Sequence, residues 1–552
     1  MSGDAGRSAS TESDGVKVDK LPIIYVRGFA GERGIEQAIQ DPFYGFNEGS
    51  VHVRVGSSGI PSFYQFESPL LRLIFDEQYE VPVRGSQERY LIDARPGTVS
   101  PASLWVHRFY DVSASSLTDQ AFRPGRDDEG VNLPESRREF SLEGAAESLL
   151  RLIRLVKDRT GAPRVHLVAH SMGGLICRCL IQKIIPEGGG HALEHIDRLF
   201  TYGTPHGGIH FDIGFGMLER LRDAFGIEGA DVFGPDRMYA YLTPADQYRS
   251  DGPPKGWKAN EIPEDAFPSE RVFCLIGTNP ADYDVAMGMS SKIVGLKSDG
   301  LVQIESAYVP NANFAFVHRS HSGRYGMVNS EEGYQNLHRF LFGDLEVTAN
   351  LIGIRLPGEP DDDMVWQAET RLSIRGLPIT MHEQLAAHYC PVLLERPRGE
   401  DTADRPIPLV TTFLSSRAPR PGATGLMRYV LQLRIISLRE HNGIFWFGDH
   451  LEHSADFDDM LIVDVEPATD GRPPRAWAEW ASCIPTALRD YRVDPGRDRP
   501  LTDEDPDVGE WQATLPLPSP SADFLSPKAA VRLTVRGRRP ADDPSYRTQH
   551  PR

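Results

Sequence analysis

A chain of 552 residues, 40% of them hydrophobic and 25% charged, is too long for one core and too apolar for a disordered or fibrous class, so two or more ordinary globular domains are expected. Its formal charge of -19, with no Lys/Arg cluster long enough to reverse the sign locally, argues against nucleic acid and the anionic inner leaflet as electrostatic partners. Five cysteines without a CxxC pair point to a reduced, cytoplasmic setting, and with no run of about eighteen apolar residues any membrane contact is expected to be peripheral.

In chain order, residues 1–20 are polar and acidic, lack the apolar core of a signal peptide, and are expected to be a disordered tail. Ile23–Val26 reads as a short buried strand ended by Gly28 and Gly31. Between 141 and 158, Leu142, Ala146, Leu149, Ile153 and Val156 recur at helical spacing behind Ser141 as N-cap. Residues 164–169 read as strand and 172–185 as helix, followed by strands at Ile196–Tyr202, 271–277 and 314–317. Helix, strand, sharp turn, helix is the pattern of a parallel sheet with crossovers. After Phe342 the character changes, and the runs 345–356, Met364–Ile374, 391–394, 429–438 and 460–465 alternate or are β-branched, with Pro/Gly-rich breaks at 417–425 and 494–507. The expected fold class is therefore α/β, a mostly parallel sheet flanked by helices over 21–342, followed by a β-rich, sandwich-like domain over 343–540 and a tail over 541–552.

The strongest chemical signal is Val165-His166-Leu167-Val168-Ala169-His170-Ser171-Met172-Gly173-Gly174, a strand running through a serine into a helix. A serine on so sharp a turn needs small residues two before and two after it, because larger side chains would strike neighbouring backbone. Ala169 and Gly173 fill those places. A hydroxyl is a weak nucleophile until a base takes its proton, so an acid and a histidine should follow in that chain order. Asp299, in the turn Ser298-Asp299-Gly300, is the expected acid, with Asp282 and Asp284 as alternatives. His321, further into the loop after the 314–317 strand, is the expected base, with His318 as the alternative. Donors for an oxyanion would be the backbone amides of Met172, at the helix N-terminus, and of Phe29 in the loop Val26-Arg27-Gly28-Phe29-Ala30-Gly31.

These segments, joined by Tyr202-Gly203-Thr204-Pro205-His206-Gly207-Gly208, resemble the bacterial lipase and esterase branch of the α/β-hydrolases, including phospholipase-like and GPI-inositol-deacylase-like relatives. The resemblance spans about 21–342. It implies an α/β-hydrolase fold, a Ser171, Asp299, His321 triad, an acyl-enzyme intermediate, and neither metal nor cofactor. Arg27-Gly28 departs from the His-Gly of many lipases, and Arg27 is expected to pair with a carboxylate, with binding of an anionic substrate group as the alternative. Residues 211–225 place Phe211, Phe215, Leu218 and Phe225 near one helical face, either as a lid over an acyl pocket or as an ordinary core helix. The clusters Asp361-Asp362-Asp363 and Asp456-Phe457-Asp458-Asp459 read as solvated loop charge, with calcium binding as the rarer alternative.

The expected function is hydrolysis of a carboxylic ester, lipid or phospholipid. An acyltransferase using the same residues, or an inactive hydrolase fold that serves only in binding, are the alternatives, and the pattern names no protein partner.

Overall fold

The computed structural model describes residues 20–28, 43, 45–55, 61–82, 87–107, 122–124, 138–209, 232–280, 297–323, 325–358, 364–396, 405–416, 425–439, 455–467, 474–488, 490–506, 510–519 and 525–538. Six strands, β1 (Ile23–Val26), β2 (Leu104–His107), β3 (Val165–His170), β4 (Ile196–Tyr202), β5 (Val272–Gly277) and β6 (Asn313–Val317), form one sheet in the order β6-β5-β4-β3-β1-β2. Every neighbouring pair is parallel, and such a sheet is stable only when both faces are covered. The alternation of side chains along each strand supplies two cores. Ile24, Val26, Leu167 and Ala169 pack with helices α1 (Leu142–Thr160) and α2 (Met172–Cys179) on one side. Ile23, Tyr25, Val168 and Phe200 pack with α3 (Glu331–Phe342) and the helix Pro69–Glu77 on the other.

Helix α1 starts where its cap residue stands: Ser141 Oγ accepts the Gly144 N–H at 3.1 Å, and Gly161 ends the helix at φ 72°. The helix expected over 172–185 is α2 to Cys179, then a π turn over Leu180–Ile184 and a last turn at Ile185–Glu187. Strand β2 carries no periodic signal, because four residues are too few to show one; complete burial of Leu104-Trp105-Val106-His107 makes it a strand.

The C-terminal half is β7 (Leu345–Ile352), β8 (Met364–Ile374), β9 (His382–Gln384), β10 (Val392–Leu394), β11 (Ile407–Leu414), β12 (Met427–Arg439), β13 (Phe457–Glu466), β14 (Arg475–Trp480), β15 (Trp511–Pro516) and β16 (Ala530–Gly537). They make two antiparallel sheets, β11-β7-β16-β15 and β9-β8-β12-β13-β14, with β10 also on β8. Val347, Leu351 and Leu533 of the first sheet share one core with Trp366, Leu431 and Val463 of the second, which is the sandwich arrangement.

The two halves meet along α3 and β6. The Phe413 ring of β11 lies 5.4 Å from that of Phe340 and 6.1 Å from that of Phe273. Over it sits the Arg538 guanidinium at 4.2 Å, donating to the Phe340 carbonyl at 2.7 Å and so capping the end of α3. Among the described residues no helix is long and apolar enough to cross a membrane.

Candidate active site

Ser171 stands between β3 and α2 with φ 55° and ψ -131°, a conformation that costs an L residue on the order of 1–3 kcal/mol and survives only where its surroundings enforce it. They do so through three hydrogen bonds: Ser171 N–H donates to the Tyr202 carbonyl at 2.9 Å, while the Ser171 carbonyl accepts from Thr204 Oγ1 at 2.9 Å and Gly174 N–H at 3.0 Å. The need for small neighbours is explicit in the packing. A Cβ on Gly173 would lie 2.1 Å from the Val26 carbonyl oxygen, and one on Gly28 would lie 2.6 Å from Ser171 Cβ and 3.2 Å from Met172 N. Gly28 thereby lets the backbone just past β1 lie against the first turn of α2 without filling the space beside the Met172 amide.

The turn after β6 delivers His321, 2% exposed, to this serine. Its Nδ1 is 2.8 Å from Asp299 Oδ2 and its Nε2 is 3.0 Å from Ser171 Oγ. A carboxylate only accepts, so Nδ1–H donates to Asp299 and the Nε2 lone pair faces the serine hydroxyl, the tautomer a base requires. Asp299 is itself held, its Oδ1 accepting the N–H groups of Leu301 at 3.0 Å and Val302 at 2.7 Å, and its carbonyl accepting His321 N–H at 2.9 Å. The structure therefore brings together Ser171, Asp299, His321 and the Met172 amide.

Several residues with a part in this geometry carry no chemical signal of their own in the sequence. Gly203, at φ 50°, lies where a Cβ would come within 2.9 Å of Asp299 Oδ2 and 3.0 Å of His321 Nδ1. Thr204 holds the serine carbonyl, as above. The following His206 is buried, 3.1 Å from Thr201 Oγ1, and its carbonyl accepts from the buried Arg178 at 2.9 Å. The Gly-Thr-Pro-His stretch is thus a bracket under the elbow. Its signal was present as a motif, but its physical reason is long-range. Burial, helped by the neighbouring Arg178, holds the His206 pKa well below the ordinary histidine value, so the ring stays neutral.

His318, the alternative base, points elsewhere: its Nδ1 is 3.2 Å from Thr278 Oγ1 and its ring stacks on His388 of the sandwich. Arg27 lies close enough to His170 to oppose its protonation. In the second acidic cluster, Asp458 pairs with Arg434 at 3.2 Å and Asp459 accepts from Ser482 Oγ at 2.6 Å, so these carboxylates bind strand neighbours. Phe29, the segment 211–225, Asp282, Asp284 and Asp361-Asp362-Asp363 lie outside the described residues. A groove of about 690 Å³ bounded by Gln182, Tyr239, Trp257 and Pro263 is lined by none of Ser171, Asp299 or His321.

The parallel sheet with the elbow serine at the end of an inner strand, and an acid and a histidine following in the loops after β5 and β6, define an α/β-hydrolase fold. No protein-family model matches the sequence, and no curated protein matches it. Among solved structures the chain is similar to a Bacillus licheniformis lipase in its mature form, at 16% identity over 55% of this chain and 85% of that one, with a TM-score of 0.26. It is similar also to a Listeria innocua gene product (12% identity, 58% and 94%, TM-score 0.24) and to lipase B of Aspergillus fumigatus (11% identity, 58% and 52%, TM-score 0.24). The fold assignment rests on strand order and register, to which likenesses of this size add nothing.

Proposed function

We propose that the chain is a serine hydrolase of carboxylic esters, with lipid or phospholipid esters as the substrate class. The observation that carries this reading is the single imidazole of His321 placed between the Asp299 carboxylate and the Ser171 hydroxyl. As Ser171 Oγ bonds to the acyl carbon, His321 Nε2 takes its proton and Asp299 supports the imidazolium. Collapse of the intermediate breaks the bond to the alcohol, which leaves with that proton. Water then adds its oxygen to the acyl carbon and its proton to Nε2, and the carboxylic acid departs as the proton returns to Ser171. The Met172 N–H, at the positive end of α2, receives the developing oxyanion, and the Phe29 amide is proposed as the second donor. Neither metal nor cofactor enters any step.

Product analysis on a series of acyl esters and phospholipids, with and without an added alcohol, tests this. Free acid as the main product supports hydrolysis; a new ester as the main product makes the chain an acyltransferase; no turnover of any ester contradicts the reading.

A further inference from the structure

The sandwich meets the α/β sheet along a free edge. Among the described residues β6 is paired with β5 on one side only. The Val317 carbonyl points toward β5, where it accepts Thr278 N–H at 3.0 Å, so the alternate residue Phe316 turns its N–H outward. That N–H donates to Nδ1 of His382, in β9 of the sandwich, at 3.3 Å. A backbone N–H can only donate, so His382 keeps its lone pair on Nδ1 and its proton on Nε2, which donates to Gln384 Oε1 at 3.2 Å; Gln384 Nε2 in turn donates to the Cys390 carbonyl at 3.3 Å. The imidazole is 1% exposed and stands edge-on to the Phe316 ring at 5.9 Å. Burial lowers its pKa to about 4, which preserves the neutral, accepting form.

Two more contacts grip the same segment. His318, the first residue past β6, stacks on His388 with centroids 3.8 Å apart and planes within 9°. Asn336 of α3 donates to the carbonyl of Met381, next to His382, at 2.9 Å. His321 follows only four residues after the end of β6.

We propose that His382 is a positioning residue for His321: by completing the outer edge of β6, the sandwich sets where the following turn delivers the imidazole. This rests on the serine-hydrolase reading and gives the β-rich half a part in catalysis without contact with substrate. An edge strand held on one side opens locally at low cost, and a base misplaced by about 1 Å loses roughly a hundredfold in rate.

The test uses the full chain with His382→Leu, which removes the acceptor, and His382→Asn, which returns one. The readouts are kcat and KM on a short-chain ester, thermal midpoint, and hydrogen exchange by mass spectrometry. His382→Leu is expected to lower kcat by about 10- to 100-fold with KM changed less than about threefold. Exchange over 313–323 should quicken about tenfold while that over 165–179 is unchanged, and His382→Asn should recover most of both. If His382→Leu does not fold, His388→Ala, which removes the stack on His318 and the 3.8 Å approach of Nδ1 to Glu383, is expected to show the same pattern at about threefold. Parent-like kcat and protection in these variants would overturn the proposal, as would Leu and Asn variants equally impaired with exchange quickened throughout the chain. The exchange arm does not depend on turnover, so a parent inactive on every ester would count against the hydrolase reading alone.

Discussion

The His170 ring lies 4.8 Å, centroid to centroid, from that of His321, and His170 Nε2 is 3.0 Å from the His321 carbonyl oxygen. A carbonyl only accepts, so Nε2 carries a proton and donates it, tethering the backbone of the proposed base to the residue before the nucleophile. Burial, helped by the adjacent His321 and Arg27, holds the His170 pKa well below the ordinary histidine value. His170 should therefore stay neutral across the working range. For a neutral ester, the acid limb of log kcat/KM against pH is expected to have a slope of about one. A slope near two would show that His170 also takes up a proton in that range.

Gly203 touches the acid and the base together. A methyl group there would enter the space of Asp299 Oδ2 and His321 Nδ1 at a positive φ. Gly203→Ala is expected to lower kcat/KM by about a hundredfold or more, in a chain whose circular dichroism is unchanged. A loss of only a few fold in the ester assay would contradict this account of the Gly-Thr-Pro-His stretch.

Asp299→Asn keeps the shape of the side chain but can present an amide N–H to Nδ1, favouring the tautomer that turns a donor toward Ser171. The expected loss in kcat is on the order of 10³- to 10⁴-fold, by analogy with the handling of other serine, histidine, aspartate sites. His318→Ala, removing a ring stacked against the sandwich, should cost no more than about tenfold by the same steady-state assay. The reverse ranking would move the base to His318.

Stability should fall in mild acid. Burial lowers the pKa of His107 to about 4, of His166 to about 3 and of His382 to about 4, whereas in the unfolded chain histidines titrate near ~6.5. Between those values the unfolded state binds protons that the folded state refuses, so stability rises with pH through this window and is lost as pH drops below about 6.5. Each such histidine contributes at most about 1.4 kcal/mol per pH unit between its two pKa values. Calorimetry from pH 7 to pH 4.5 should show a steadily falling midpoint, with a shallower fall in His107→Asn. A midpoint independent of pH over that range would contradict the neutral, buried assignment.

Much of the α/β half was legible because its signals are local. Ser141 as cap, Ile23–Val26 and Ile196–Tyr202 as strands, and the strand, serine, helix passage through Ser171 each depend on residues within one element. The serine, acid, histidine order pointed to Asp299 and His321, which lie in hydrogen-bond contact with each other and, through His321, with Ser171. What could not be read is what folding brings from afar. The place of β1 between β2 and β3, the contact of Gly203 with Asp299, and the grip of His382 on Phe316 each join segments far apart in the chain. In the sandwich, Met364–Ile374 was plain from its length and alternation, while β9, β11, β14, β15 and β16 were missed. β14, Arg475–Trp480, shows why: with Arg and Glu interleaved among its tryptophans, its strand character comes from pairing with β13 rather than from its own pattern.

Whether Ser171 is an activated serine is read out by labelling with a fluorophosphonate probe, because the probe reacts with a serine whose proton a neighbouring base can take. The parent chain and His318→Ala are expected to label, and Ser171→Ala and His321→Ala are not. Labelling that survives Ser171→Ala, or a parent that stays unlabelled both in buffer and with detergent micelles, would contradict an activated Ser171.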